Sequence, residues 1–242
     1  MIHENVCHMS FPARAAATFR TWRASPAWRM GMSIGVATGL YGPSFGALAV
    51  ASGLNVWQAC ALSALMFTGG SQFAFVGVLG GGGTGLAAWS AASLLGVRNG
   101  IYGVRMKAMF RPSAALIPLM AHGTIDESMS TASAQTEPTE QRRGFVTAAI
   151  AVFALWNLGT WLGALLGQAI GDPRTFGLDG AASAAFLGLL WPRLQGRDPV
   201  ALAVVAAAVT IIAVPFVPPG LPILIAAVVT VGMALLQQRK EA

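Results

Sequence analysis

"FTGGSQFAFVGVLGGGG", residues 67–83, interrupts a long apolar run with Gly69, Gly70, Ser71 and Gln72. A Gly-Gly pair weakens a helix by about 1 kcal/mol per glycine against alanine. Polar groups in an apolar medium are costly unless they are bonded. The stretch predicts a locally unwound helix that turns backbone N–H and C=O groups, with Ser71 and Gln72, toward a polar ligand. Its other reading is a kinked helix in which Gln72 bonds a neighbouring helix.

Composition sets the medium. Of 242 residues, 55% are hydrophobic and 10% charged, against about 25% charged in a soluble domain. With a mean hydropathy of +0.63, there is too little polar surface to cover a water-facing globule. The chain reads as an all-α, polytopic helical membrane protein. The net charge of +6 sits beside apolar spans, at "RTWRASPAWR", "RMKAMFR" and "QRR". That placement fits topology signals at a lipid bilayer and not a nucleic-acid surface. Cys7 and Cys60 have no metal spacing, and no metal or cofactor is expected.

Apolar spans are expected at about 31–52, 56–80, 86–103, 145–170, 177–191, 200–214 and 221–236. That gives about seven transmembrane helices in one domain, 30–236, after a basic tail, 1–29. Within it, 105–143 is cytoplasmic or re-entrant, because its apolar part, 112–121, is too short to cross about 30 Å of hydrocarbon alone. It becomes an eighth crossing only by carrying His122, Asp126 and Glu127 into lipid. The charges leave seven and eight open. Both counts put the tail 237–242, "KEA" with its flanking "QQR", in the cytoplasm of a multi-pass plasma-membrane protein. Gly31, Gly35 and Gly39 repeat every four residues, as do Gly159, Gly163, Gly167 and Gly171, which marks close helix contacts. Each ridge leads into a similar stretch, "GALAVASG" and "GALLGQAIG", a faint internal repeat.

Charged and polar residues within spans tend to have functional roles. Arg98, Asn99 and Tyr102 form one group, with Arg98 and Tyr102 four apart on one helix face. Arg98 either snorkels to the headgroups or pairs with a carboxylate, a substrate's or one from the acidic segment. Asp126 and Glu127 are either a solvent loop or a proton-carrying pair lowered into the bundle. Trp156 suits packing or an interfacial belt, with Asn157 beside it as a secondary position, and Asp179 suits an N-cap. No HExxH or GxSxG motif supports an intramembrane enzyme.

Read together, "FTGGSQFAF", "GVRNGIYG", "IDES", "WNLGTWLGALLG" and "GLDGAASAAFLGLLWP" resemble, in order, the AzlC family of large subunits of branched-chain amino acid exporters. Gly96, Asn99 and Ile125 stand where that family commonly has other residues. The resemblance implies a permease exporting valine, leucine, isoleucine or other hydrophobic amino acids, coupled to the proton-motive force. It also implies a small AzlD-type membrane partner. Gly69, Gly70, Ser71, Gln72, Arg98, Asn99 and Tyr102 then become expected substrate-binding residues, and Asp126 and Glu127 the coupling acids. A membrane scaffold or channel-type subunit is the alternative.

Overall fold

The computed structural model describes residues 22–170, 187, 190, 191, 194–218 and 221–241. Gly171 and Asp179 lie outside the described residues, as does most of the span expected at 177–191. Among the described residues there are ten α-helices and no strand. They are α1 Pro26–Leu40, α2 Gly42–Ala51, α3 Val56–Leu65, α4 Gly69–Gly80, α5 Gly85–Phe110, α6 Ile117–His122, α7 Asp126–Ser133, α8 Pro138–Ile170, α9 Arg197–Ala213 and α10 Leu221–Glu241. Two segments are long and apolar enough to cross a membrane, Pro26–Ala51 and Pro138–Ala169. The first comprises α1 and α2, separated at Tyr41 where Pro43 enters the first turn of α2. Among the described residues, two of the seven expected crossings meet this test of length and composition.

The expected span at 56–80 is not one helix. It divides into α3, ten residues, and α4, twelve residues, with residues 66–68 between them. At 1.5 Å per residue these are about 15 and 18 Å long, too short to cross singly. They fold back as a hairpin. The chain enters α3 just after Ser52, and Gly80 at the far end of α4 returns to Ser52, whose Oγ lies 2.8 Å from where a Gly80 Cβ would stand. Both α3 and α4 pack on α2. The residues after Gly80 leave the helix through Gly82, whose φ of 82° an L side chain rarely adopts. Gly83 N–H then donates to the Val78 carbonyl at 2.8 Å.

The segment 111–133 has the same form. After one 3₁₀ turn at Ala114–Leu116, α6 runs in to residues 123–125 and α7 runs back. His122 stacks edge-on against Phe153, Gly123 lies against Ala149, and Thr131 is back at Gly144. The order short helix, break, short helix, long helix therefore occurs twice, in α3–α4–α5 and in α6–α7–α8.

The described residues form two compact units. The first takes residues up to Leu40 and Asn99–Trp156; the second takes Tyr41–Arg98 and residues from Asn157 on. In the first unit α1 runs parallel to α8, with Gly31 against Thr147 and Ala148, Gly35 against Ala151, and Gly39 against Leu155. Met106, Phe110, Ala132 and Phe145 are its buried cluster, with Met120 and Met129 packed against it. In the second unit α2 runs parallel to the later half of α8. There a Cβ on Gly46 would overlap the Thr160 carbonyl, one on Gly163 would overlap that of Pro43, and Gly167 lies against Ala47. Ala74, Val78, Ala88 and Ala91 knit α4 to α5, and α9 packs on α10.

Ser25 caps α1, accepting from Trp28 N–H at 3.2 Å, with Pro26 as the first helical residue. Its hydroxyl donates to Glu140, in the polar opening turns of α8 ahead of the apolar run from Phe145. The Ser25 hydroxyl first, and then Arg143 and the Ala27 N–H, hold the Glu140 carboxyl below its ordinary range against the opposing effect of burial.

Two outcomes follow from these contacts. Gly46→Ala pushes α2 off α8 and lowers stability by about 1–3 kcal/mol, whereas Gly77→Ala, where a Cβ meets no described residue within 4 Å, leaves it unchanged or higher. Thermal unfolding of the detergent-solubilised protein compares them. Because Glu140 has a depressed folded pKa, its contribution is present above the unfolded value of about 4.3 and is lost as pH falls through the folded one. The Tm gap between wild type and Ser25→Ala is therefore full at pH 7 and narrows as pH falls through the folded value, to the part left by the lost Trp28 cap bond.

Candidate functional site

The hairpin α3–α4 holds its break open through one side chain. Gln72, with no exposed surface, donates from Nε2 to the carbonyls of Ser63 at 3.1 Å and Met66 at 2.9 Å. These are carbonyls at the end of α3, where the helix supplies no donor of its own. Ser63 Oγ in turn shares a hydrogen bond of 3.1 Å with Thr160 Oγ1 on α8. Gln72 thus points back into the hairpin and ties its two arms. Edge-on packing of Phe45 against Phe73, 5.6 Å between centroids, seats α4 on α2.

The break falls at residues 66–68, ahead of the glycine pair. Thr68 is extended (φ −156°, ψ 106°), and Gly69 and Gly70 form the first turn of α4. The Gln72 N–H reaches the Thr68 carbonyl at 3.0 Å, so the N–H groups of residues 69–71 are left without helical acceptors. Thr68 makes no side-chain cap bond, and its Oγ1 is buried without a hydrogen-bond partner among the described residues. Ser71 is 1% exposed, and its Oγ is likewise buried and without a partner. It faces Gly96 on α5, where a Cβ would stand 3.5 Å from that oxygen. Arg98, also on α5, lies against Gly70, with its Nη2 2.7 Å from where a Gly70 Cβ would stand. Any side chain at residue 70 would meet the guanidinium.

This corner of the second unit combines a helix amino end, two buried hydroxyls with no partner among the described residues and a guanidinium. Each favours negative charge. The sequence reading had missed Thr68, Ser63 and Thr160. Thr68 was legible as a helix cap, since Thr directly before the first helical residue is a preferred N-cap type.

The first unit gathers the other expected residues. Asn99 donates from Nδ2 to the Thr124 carbonyl at 3.1 Å, and its Oδ1 is buried with no hydrogen-bond partner among the described residues. The Tyr102 hydroxyl donates to Asp126 Oδ1 at 3.0 Å. Asp126 and Glu127 open α7 at the turn of its hairpin, where carboxylates suit the helix dipole. Ser128 closes that turn, accepting from Ile125 N–H at 3.0 Å and donating to the Gly123 carbonyl at 2.6 Å. Trp156, 2% exposed, packs in the interior, and Asn157 follows it on α8.

No curated protein and no solved structure matches the chain. Residues 33–170 match the family described as AzlC protein, a stretch that contains α2 through α8, both hairpins and both groups of polar residues. More than half the chain is covered, and the chain belongs to the AzlC family, whose members are membrane transport-related proteins.

Proposed function

We propose that this protein is a permease that exports branched-chain or similar hydrophobic amino acids across the plasma membrane, together with a small AzlD-type membrane subunit and with its C-terminus in the cytoplasm. The observation that carries this reading is the buried, unpartnered Ser71 hydroxyl at the amino end of α4, beside Arg98. An amino acid's carboxylate is costly to hold away from water unless fixed donors replace its hydration. The N–H groups of residues 69–71 and the Ser71 hydroxyl supply donors, and Arg98 supplies opposite charge. Gly70 keeps the approach open. Gln72 acts as a positioning residue, holding the hairpin so that these donors converge. Broken helices with their amino ends turned to an anionic group recur in secondary transporters.

Coupling to the proton-motive force needs a group that takes up and releases a proton. Asp126, bonded by Tyr102, is assigned that role, with Glu127 beside it.

The test is efflux of labelled valine from proteoliposomes, with and without the small subunit. Ser71→Ala raises KM by about 10–100-fold, the loss of a hydrogen bond to a charged group. The same change leaves the empty protein as stable or more stable, because it removes an unbonded buried hydroxyl. A merely structural serine would lose stability and transport together. Gly70→Ala folds, since only the flexible end of Arg98 must shift, and loses transport. Asp126→Asn loses efflux driven by an imposed pH gradient and keeps valine exchange; unchanged gradient-driven efflux would remove this residue from coupling.

A further inference from the structure

We propose that the transported amino acid's side chain occupies an apolar cavity of about 600 Å³ in the second unit, and that Gly77 sets how large that side chain can be. This rests on the permease reading above and extends it from the carboxylate end of the substrate to the other end.

The cavity lies between α4, α5 and the turn joining α9 to α10, lined by Phe73, Ala74, Gly77, Leu95, Thr210 and Ile223 among others. Its volume falls in the range of small-molecule sites, about 300–1,000 Å³. Its walls offer almost no hydrogen bonding. The Thr210 hydroxyl donates to the Ala206 carbonyl of its own helix at 2.7 Å, so its proton is already engaged.

The position of the cavity specifies its occupant. Gly70, Ala74, Gly77 and Gly81 are spaced four, three and four apart, so they form one stripe along α4. Ala74, Gly77 and Gly81 line the cavity, and Gly70, one turn before Ala74, carries the Arg98 guanidinium. On α5 the order is the same, since Leu95 lines the cavity and Arg98 follows one turn later. One end of this face binds negative charge, and the adjoining part is apolar. A molecule with a carboxylate and an apolar side chain a few ångströms away matches both. An acyl chain, or a helix of a partner, would use the apolar part and leave the buried Ser71 hydroxyl unanswered.

Gly77 is the position where size is adjustable. Among the described residues no atom stands within 4 Å of where its Cβ would be, so a side chain there projects into the cavity. Gly77→Leu therefore leaves the fold intact and shortens the space available to the substrate.

The experiment measures efflux of labelled leucine and of labelled alanine from proteoliposomes containing the full chain, wild type, Gly77→Ala and Gly77→Leu, with and without the small subunit. The expected result is a fall of at least about 10-fold in the leucine-to-alanine ratio of kcat/KM for Gly77→Leu, with a smaller fall for Gly77→Ala. Thermal unfolding of both variants stays at or above that of wild type. A ratio equal to wild type, or equal loss of both amino acids, overturns the pocket assignment and gives the cavity to lipid or to a partner helix. A wild type that moves neither amino acid overturns the permease reading itself, and the pocket with it. A wild type that moves leucine with a ratio insensitive to residue 77 overturns the pocket alone.

Discussion

The bonds from Gln72 to the carbonyls of Ser63 and Met66 are the constraint on which the second unit depends. A helix that stops inside an apolar medium leaves carbonyls that no water can satisfy, each costing several kcal/mol if left alone. One amide group answers two of them. It also fixes the distance between the arms of the hairpin, because its own backbone lies in the first turn of α4 while its partners lie at the end of α3. The amino end of α4 receives no side-chain cap bond from Thr68. The buried hydroxyls of Thr68 and Ser71 and the approach of Arg98 to Gly70 are consequences of that placement.

Glycine performs two separate tasks. Along α1, α2 and α8 it removes side chains so that parallel helices touch backbone to backbone, a contact that packs by dispersion and weak polar interactions and not by exclusion of water. Such a seam tolerates no added carbon. At Gly70 and Gly77, glycine instead leaves room for something that must move or enter, a guanidinium at one and, on the present proposal, a substrate side chain at the other. The structural distinction is whether the missing Cβ would strike a backbone, a flexible side-chain end, or nothing.

The twice-used order of short helix, break, short helix and long helix places a polar group at each turn. The turn of the first hairpin carries donors and the adjacent Arg98, and the turn of the second carries Asp126 with Tyr102. On the permease reading proposed above, a zwitterion and a proton would each need such a group away from bulk water. The region matched by the AzlC family covers both hairpins and the long helices that follow them.

The helical class, the membrane-type composition and the family were legible in the sequence, because each follows from composition or from residue types in a short window. Of the two readings open to Gln72, a ligand contact or a bond within the protein, its bonds to Ser63 and Met66 are bonds within the protein. The break was expected at the glycine pair and lies just before it. Glycine's weak propensity yields when Thr68 supplies an extended residue at the cap position, and the pair then opens the next helix. The residues at 56–80 read as one crossing because hydropathy measures apolar length and carries no sign of direction. Two short helices folded back on each other have the same apolar length as one long helix. Which carbonyls Gln72 would find depends on how the hairpin folds back, and that Arg98 would lie on Gly70 and a cavity continue that face depends on neighbours distant in the chain. Tertiary structure decided those, because a buried polar group specifies in sequence only that it needs a partner, and packing specifies which one.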